Sequence, residues 1–167
     1  MSEWIGSNAD NALKNQYLTF WADNQLFGVS IVNVMQIIRM QKILEIPDYP
    51  AFAKGIINLR GSIVPILDIR MRLGKPESEY NERTCIIIVD IRGKLYGIAV
   101  DLVNEVMEIL PEQISPPPRM GGVSVNEYLF GVAKLEEKVV MMLDCTKLLK
   151  DEEFEKLTAS AEKGGFQ

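Results

Sequence analysis

The chain has 167 residues, 47% apolar and 25% charged, and its 18 Lys and Arg against 23 Asp and Glu leave a formal charge of −5. This is the balance of a soluble globular protein, and a domain of this length removes roughly 70% of its unfolded surface from water. Histidine is absent, which excludes a Ser-His-Asp triad, a His-ligated metal or a histidine phosphorelay built from this chain.

Other classes are disfavoured by what is missing. Cys85 and Cys145 are too far apart for a CxxC pair and read as reduced thiols. No run of Lys and Arg offers a track for nucleic-acid phosphates, and no apolar stretch reaches about 18 residues. The start of the chain lacks a basic segment followed by an apolar core. The cytoplasm is the expected compartment, with no nucleic-acid partner, no membrane insertion and no cofactor.

Residues 1–14 are polar, with Trp4, Ile5 and Leu13 scattered among them, and read as a flexible N-terminal segment. Gln16–Trp21 and Gln25–Val29 are β-branched and aromatic and flank an Asp23-Asn24 turn, the pattern of a hairpin. The apolar spacing of Ile31, Val34 and Met35 predicts a short helical turn leading into a strand through Ile46. Pro47, Pro50 and the small residues between Ala51 and Gly55 mark a turn, and strands follow at Ile56–Arg60 and Ser62–Asp68. Gly74-Lys75-Pro76 closes the unit, and the polar run Glu77–Arg83 is the expected linker.

The same pattern then returns. A constant shift of 69 positions lays Tyr17–Phe20 on Ile86–Val89, Leu26-Phe27-Gly28 on Leu95-Tyr96-Gly97, and Val34–Ile37 on Val103–Val106. After Pro47 and Pro116 the second copy carries seven extra residues. Gly55 then matches Gly131, Leu67-Asp68 matches Leu143-Asp144, and Leu73 matches Leu149. A repeat of about 70 residues with about five short strands points to a small β-barrel. The expected architecture is all-β: a first barrel over 15–76, a linker over 77–83, a second barrel over 84–150, and a helix with its tail over 151–167. The helix is signalled by an acidic first turn, Asp151-Glu152-Glu153, and by Phe154, Leu157 and Ala161 on one face.

The densest segment runs Gly55-Ile56-Ile57-Asn58-Leu59-Arg60-Gly61-Ser62-Ile63-Val64-Pro65-Ile66-Leu67-Asp68 and on to Gly74. Alternation puts Asn58 and Arg60 opposite Ile57 and Leu59, with Arg60 beside a glycine bend. There a guanidinium reaches a partner, pairs locally with Asp68, or is simply solvated. Asp68 and Asp144 are repeat-equivalent; capping of the following turn explains them better than acid–base chemistry. Met40, Met71, Met107, Met141 and Met142 fall mostly in apolar runs and read as core.

This segment, with Phe27-Gly28-Val29 before it, resembles the CheW family of bacterial chemotaxis coupling proteins. Ile86–Asp90, Gly97–Asp101, Val103–Val106 and Gly131–Asp144 extend the resemblance over about residues 15 to 150. It implies two five-stranded SH3-like barrels and a non-enzymatic adaptor. The implied partners are the cytoplasmic hairpin tip of methyl-accepting chemoreceptors and the regulatory domain of the histidine kinase CheA. By the same resemblance a receptor groove lies between the barrels, contacted by Val34, Gln36 and Arg60, with Gly55 and Gly61 shaping its edge. Gln36 stands where the family often carries Glu, and a neutral amide keeps a hydrogen bond but loses an ion pair. The kinase-facing surface is implied on the first barrel, where Met40, Ile43 and Leu44 form an apolar edge or are core. Arg119 and Met120, in the Pro-rich insertion, are implied array contacts. A CheW-like half of a CheV-type adaptor lacking its receiver domain fits the same motifs. A β-barrel hydrolase would need a nucleophile beside a base, and the chain shows none.

Overall fold

The computed structural model describes residues 13–117 and 127–164. Among these residues eleven strands run in chain order: β1 (Gln16–Ala22), β2 (Gln25–Ser30), β3 (Val34–Arg39), β4 (Ala53–Leu59), β5 (Ser62–Asp68), β6 (Cys85–Ile91), β7 (Lys94–Val100), β8 (Leu102–Glu108), β9 (Ile114–Ser115), β10 (Leu129–Lys134) and β11 (Val139–Leu143). Short helices α1 (Ile69–Arg72) and α2 (Cys145–Leu148) follow β5 and β11, and α3 (Asp151–Gly164) follows α2. The expected flexible segment falls mainly on residues 1–12, outside the described residues.

Two-residue turns set the hairpins. Asp23 and Asn24 (φ 51° and 63°), Arg60 and Gly61 (53° and 89°), and Arg92 and Gly93 (53° and 86°) are all left-handed. Each pair joins directly paired strand ends, Ala22 to Gln25, Leu59 to Ser62 and Ile91 to Lys94. Two left-handed central residues make the turn whose twist matches that of antiparallel strands.

The strands form two sheets, ordered β8-β1-β2-β11-β10-β9 and β3-β6-β7-β5-β4. The repeat survives in the register. Leu18 opposes Val106 and its counterpart Ile87 opposes Ile37, while Phe20 opposes Phe27 and Val89 opposes Tyr96. The division of the chain into barrels does not survive. The β1–β2 hairpin of the first copy sits among the second copy's strands, and the β6–β7 hairpin sits among the first copy's. The expected barrels over 15–76 and 84–150 are therefore corrected: each sheet combines a hairpin from one copy with three or four strands from the other. The chain passes between sheets at the 3-10 turn Ile31–Asn33, only three residues long, and again at Asp101. Unlike the two-residue left-handed turns, this 3-10 turn leads the chain onward rather than back beside β2.

Local departures have similar causes. The helical turn stops at Asn33, and Val34–Arg39 is strand. Val34 pairs with Val89 and Gln36 with Ile88, so Met35 is an extra residue in the ladder. Burial along β3 still alternates residue by residue, but its exposed positions carry apolar Met35 and Ile37, which hides the strand period. β4 begins at Ala53, ahead of the expected Ile56, with a register shift between Ala53 and Gly55. Beyond β3, Leu44 and Ile56 exchange backbone hydrogen bonds of 2.9 Å each, and β9 pairs with β10, so each sheet closes on itself.

Three cores result. Ile57, Val64, Ile66, Ile86, Ile88 and Ala99 fill one barrel, and Leu26, Ile109, Ala133, Val140 and Met142 fill the other. The largest core lies between them, joining Phe20, Phe27 and Val29 to Ile87, Val89, Tyr96 and Ile98. Most of the seam is thus filled with side chains. Leu157 and Ala161 of α3 are buried and Phe154 is half-buried, as the spacing predicts. The linker over 77–83 is pinned, since the Tyr80 hydroxyl donates to Asp68 at 2.7 Å.

A candidate docking face on the edge strands

β3 and β8 occupy equivalent edges of their sheets, and among the described residues each pairs along one side only. An edge strand presents free backbone donors and acceptors, an invitation to a partner unless it is blunted. Both edges expose apolar side chains, among charged ones at Arg39, Glu105 and Glu108. Met35 is 51% exposed, Ile37 43%, and Val106, the counterpart of Ile37, 49%. Val32 before β3 and Leu102 at the start of β8 are exposed as well. Beneath, Val34 and its counterpart Val103 both pack on the central core, so the two edges flank the seam.

The residues expected at the receptor groove take different places. Val34 and Gln36 are half-buried on β3. Arg60 is exposed at the tip of the β4–β5 hairpin, held left-handed, while the Gly61 N–H donates to Asn58 Oδ1 at 2.8 Å. Pairing with Asp68 is corrected, because Asp68 is fully buried and accepts from Met71 N and the Tyr80 hydroxyl. Asp68 and Asp144 cap α1 and α2 as expected, Asp144 accepting from Thr146 N at 2.9 Å. Gly55 is buried at the barrel closure rather than on the surface. A Cβ there would lie 2.2 Å from the Leu44 carbonyl oxygen.

On the first-copy apolar edge, Met40 and Ile43 are half-buried against the barrel core and Leu44 is 41% exposed. The methionines read as core are mostly half-buried; of those named, Met142 alone is fully enclosed. Arg119 and Met120 lie outside the described residues. Sequence reasoning passed over Met35, Ile37 and Val106 as surface residues. Repeat equivalence links Ile37 to Val106, but which strands are edges is decided only by the sheet order.

The face is held in place by an ionic clamp at the second crossing. Arg70 Nη2 is 2.6 Å from Asp101 Oδ2 and its Nη1 is 3.3 Å from Asp23 Oδ1, while Lys75 Nζ lies 3.1 Å from Asp23 Oδ2. The Asp23 N–H donates to Asp101, and the Asp101 N–H donates to the Trp21 carbonyl. Partial burial raises the Asp101 pKa, but hydrogen bonds from Arg70 and Asp23 and the charge of Arg70 outweigh it and hold the carboxyl below its ordinary value. This clamp ties the β1–β2 turn to the start of β8.

Among the described residues no group of three or more His, Cys, Asp or Glu is placed to hold a metal ion, and no helix is long and apolar enough to cross a membrane. Apolar side chains and free backbone on paired edges define a two-barrel docking module.

Comparison with known proteins agrees with that class. Residues 16–153 match the family model described as a CheW-like domain. The chain is 34% identical over 149 residues to the chemotaxis protein CheW of Klebsiella aerogenes, covering 89% of this chain and 90% of that protein. It is 28% identical over 140 residues to the probable chemotaxis protein CheW of Rhizobium etli, covering 84% and 90%. The solved structure of the scaffolding protein TtCheW from Thermoanaerobacter tengcongensis superposes with a TM-score of 0.76 at 32% identity, covering 83% of this chain and 94% of that one. The chain belongs to the CheW family.

Proposed function

We propose that this protein is a cytoplasmic chemotaxis adaptor that joins the cytoplasmic tips of chemoreceptors to the regulatory domain of the histidine kinase CheA. The observation that carries the proposal is the pair of edge strands β3 and β8, each with exposed apolar side chains beside one seam, in a chain whose relatives are named as chemotaxis and scaffolding proteins. An edge strand binds an extended segment through backbone hydrogen bonds and a helix through its apolar side chains. The receptor helix tip is assigned to the face around Val34, Gln36 and Ile37, with Arg60 and Gly61 at its border and Gly55 shaping the closure beneath. The kinase is assigned to the side carrying Met40, Ile43 and Leu44. Arg119 and Met120 are kept as contacts between neighbouring assemblies.

Such a protein works through geometry. It changes the kinase's equilibrium only if its contacts differ between the states of the receptor. Co-purification with the CheA regulatory domain and a receptor tip fragment tests the assignment. A ternary complex supports it, and binding to neither partner refutes it.

A further inference from the structure

The two copies meet at Arg72, where their symmetry is broken. Phe52 and Tyr128 are repeat-equivalent, and each carbonyl accepts from the N–H of the capping aspartate, Asp68 and Asp144, at 2.9 Å. Arg72 at the end of α1 lies between those two rings, its guanidinium carbon 4.0 Å from the Phe52 centroid and 5.0 Å from that of Tyr128. Its counterpart in the second copy is Leu148, and Arg72 Nε donates to the Leu148 carbonyl at 2.8 Å. Its Nη2 donates to Glu153 Oε1 at 2.7 Å, and its side chain is 8% exposed.

Glu153 is also the third residue of α3, and the same oxygen accepts from the Lys150 N–H at 3.0 Å. One carboxylate therefore caps the helix and ties it to Arg72. The other polar holds on α3 are few. Tyr49 donates its hydroxyl to the Leu157 carbonyl at 2.5 Å, and Lys94 pairs with the exposed Asp151 at 3.1 Å. Exposed ion pairs of the second kind contribute little. The apolar anchors are Leu157, Ala161 and half-buried Phe154, and α3 has no place in either sheet.

We propose that Arg72 is the latch of α3: the helix docks and undocks as a unit on barrels that stay folded, and Arg72 sets the docked state. Undocking uncovers the apolar strip of Ile46, Tyr49 and Ile63 over Ile56, against which Ala161 packs. Arg72 is the positioning residue because it touches both aromatic counterparts, α2 and the cap of α3 at once. The latch is independent of the partner assignment and stands or falls separately from it.

Hydrogen exchange on the full chain tests it, with Arg72→Leu copying the counterpart residue and Glu153→Gln removing only the anionic anchor. In both variants the α3 amides are expected to exchange at least about tenfold faster, with those of β6 and β7 changing less than about twofold. Unchanged α3 protection in both variants overturns the proposal. So does loss of protection in α3 and in β6 and β7 by the same factor, which is the signature of general destabilisation. If Arg72→Leu does not fold, Glu153→Gln decides alone.

Discussion

Asp101 takes a bidentate pair of hydrogen bonds from Arg70, Nε to Oδ1 at 2.9 Å and Nη2 to Oδ2 at 2.6 Å, just where the chain leaves one sheet for the other. Arg70 belongs to α1 beside the β3–β7 sheet, and Asp101 opens the run into β8 of its neighbour. The pair therefore fixes one sheet relative to the other at a point with a single connecting residue.

Its strength depends on pH. The Asp101 carboxyl is held below its ordinary value in the folded protein. It therefore stabilises the fold above the unfolded value of about 3.9, and that contribution is lost as pH falls through the folded value. Asp101→Asn is expected to lower Tm at neutral pH, and the gap to the wild type is expected to shrink below about pH 4. Thermal melts of both proteins between neutral and acid pH check this, and a gap that widens in acid contradicts it.

Gly55 has φ +146° and no room for a Cβ beside the Leu44 carbonyl, whereas Gly61, at φ +89°, has open space around it. Gly55→Ala combines backbone strain with a clash and is expected to cost about 3 kcal/mol. For a chain of this size that is roughly 6–12 °C in Tm. Gly61→Ala meets strain alone and is expected to cost about 1 kcal/mol. Calorimetry on the two variants separates closure of the barrel from the demands of the turn.

The cysteines differ in access. Cys145 is fully enclosed, and burial pushes its thiol up to about 12, while Cys85 is half-buried. A thiol of that kind carries almost no thiolate at neutral pH. One thiol is expected to react with a disulfide reagent in the native protein and two after denaturation, with peptide mapping placing the fast one at Cys85.

Because each sheet takes strands from both copies, neither half of the chain holds a complete barrel in the observed arrangement. Fragments 1–76 and 77–167 are expected to give no folded monomer when expressed alone and to reconstitute when mixed. Dispersed amide spectra from an isolated monomeric fragment contradict the exchange of hairpins.

Much of this was legible in the residues. Shared glycines and apolar positions gave the repeat, and the shift of Tyr17 onto Ile86 reappears as identical strand register. The exchange of hairpins was not legible. The alternation in β1–β2 matches that in β6–β7, so either hairpin suits either sheet, and the choice rests on the direction of the three-residue turn Ile31–Asn33. The place of Arg60 at a hairpin tip was legible from the glycine turn beside it, while its docking role was implied by the family resemblance alone. Met35 and Ile37 were missed because they are apolar on the exposed side of a regularly alternating strand, and apolar residues on an edge look like core until the sheet order is known.

The central claim is coupling, and the most direct measurement is autophosphorylation of CheA reconstituted with receptor assemblies, with and without this chain. Kinase activity is expected to depend on the chain and on the receptor together. Arg60→Glu is expected to abolish that dependence while leaving Tm and affinity for the kinase regulatory domain unchanged. Kinase activity that is the same with the chain, without it and with the variant contradicts the account.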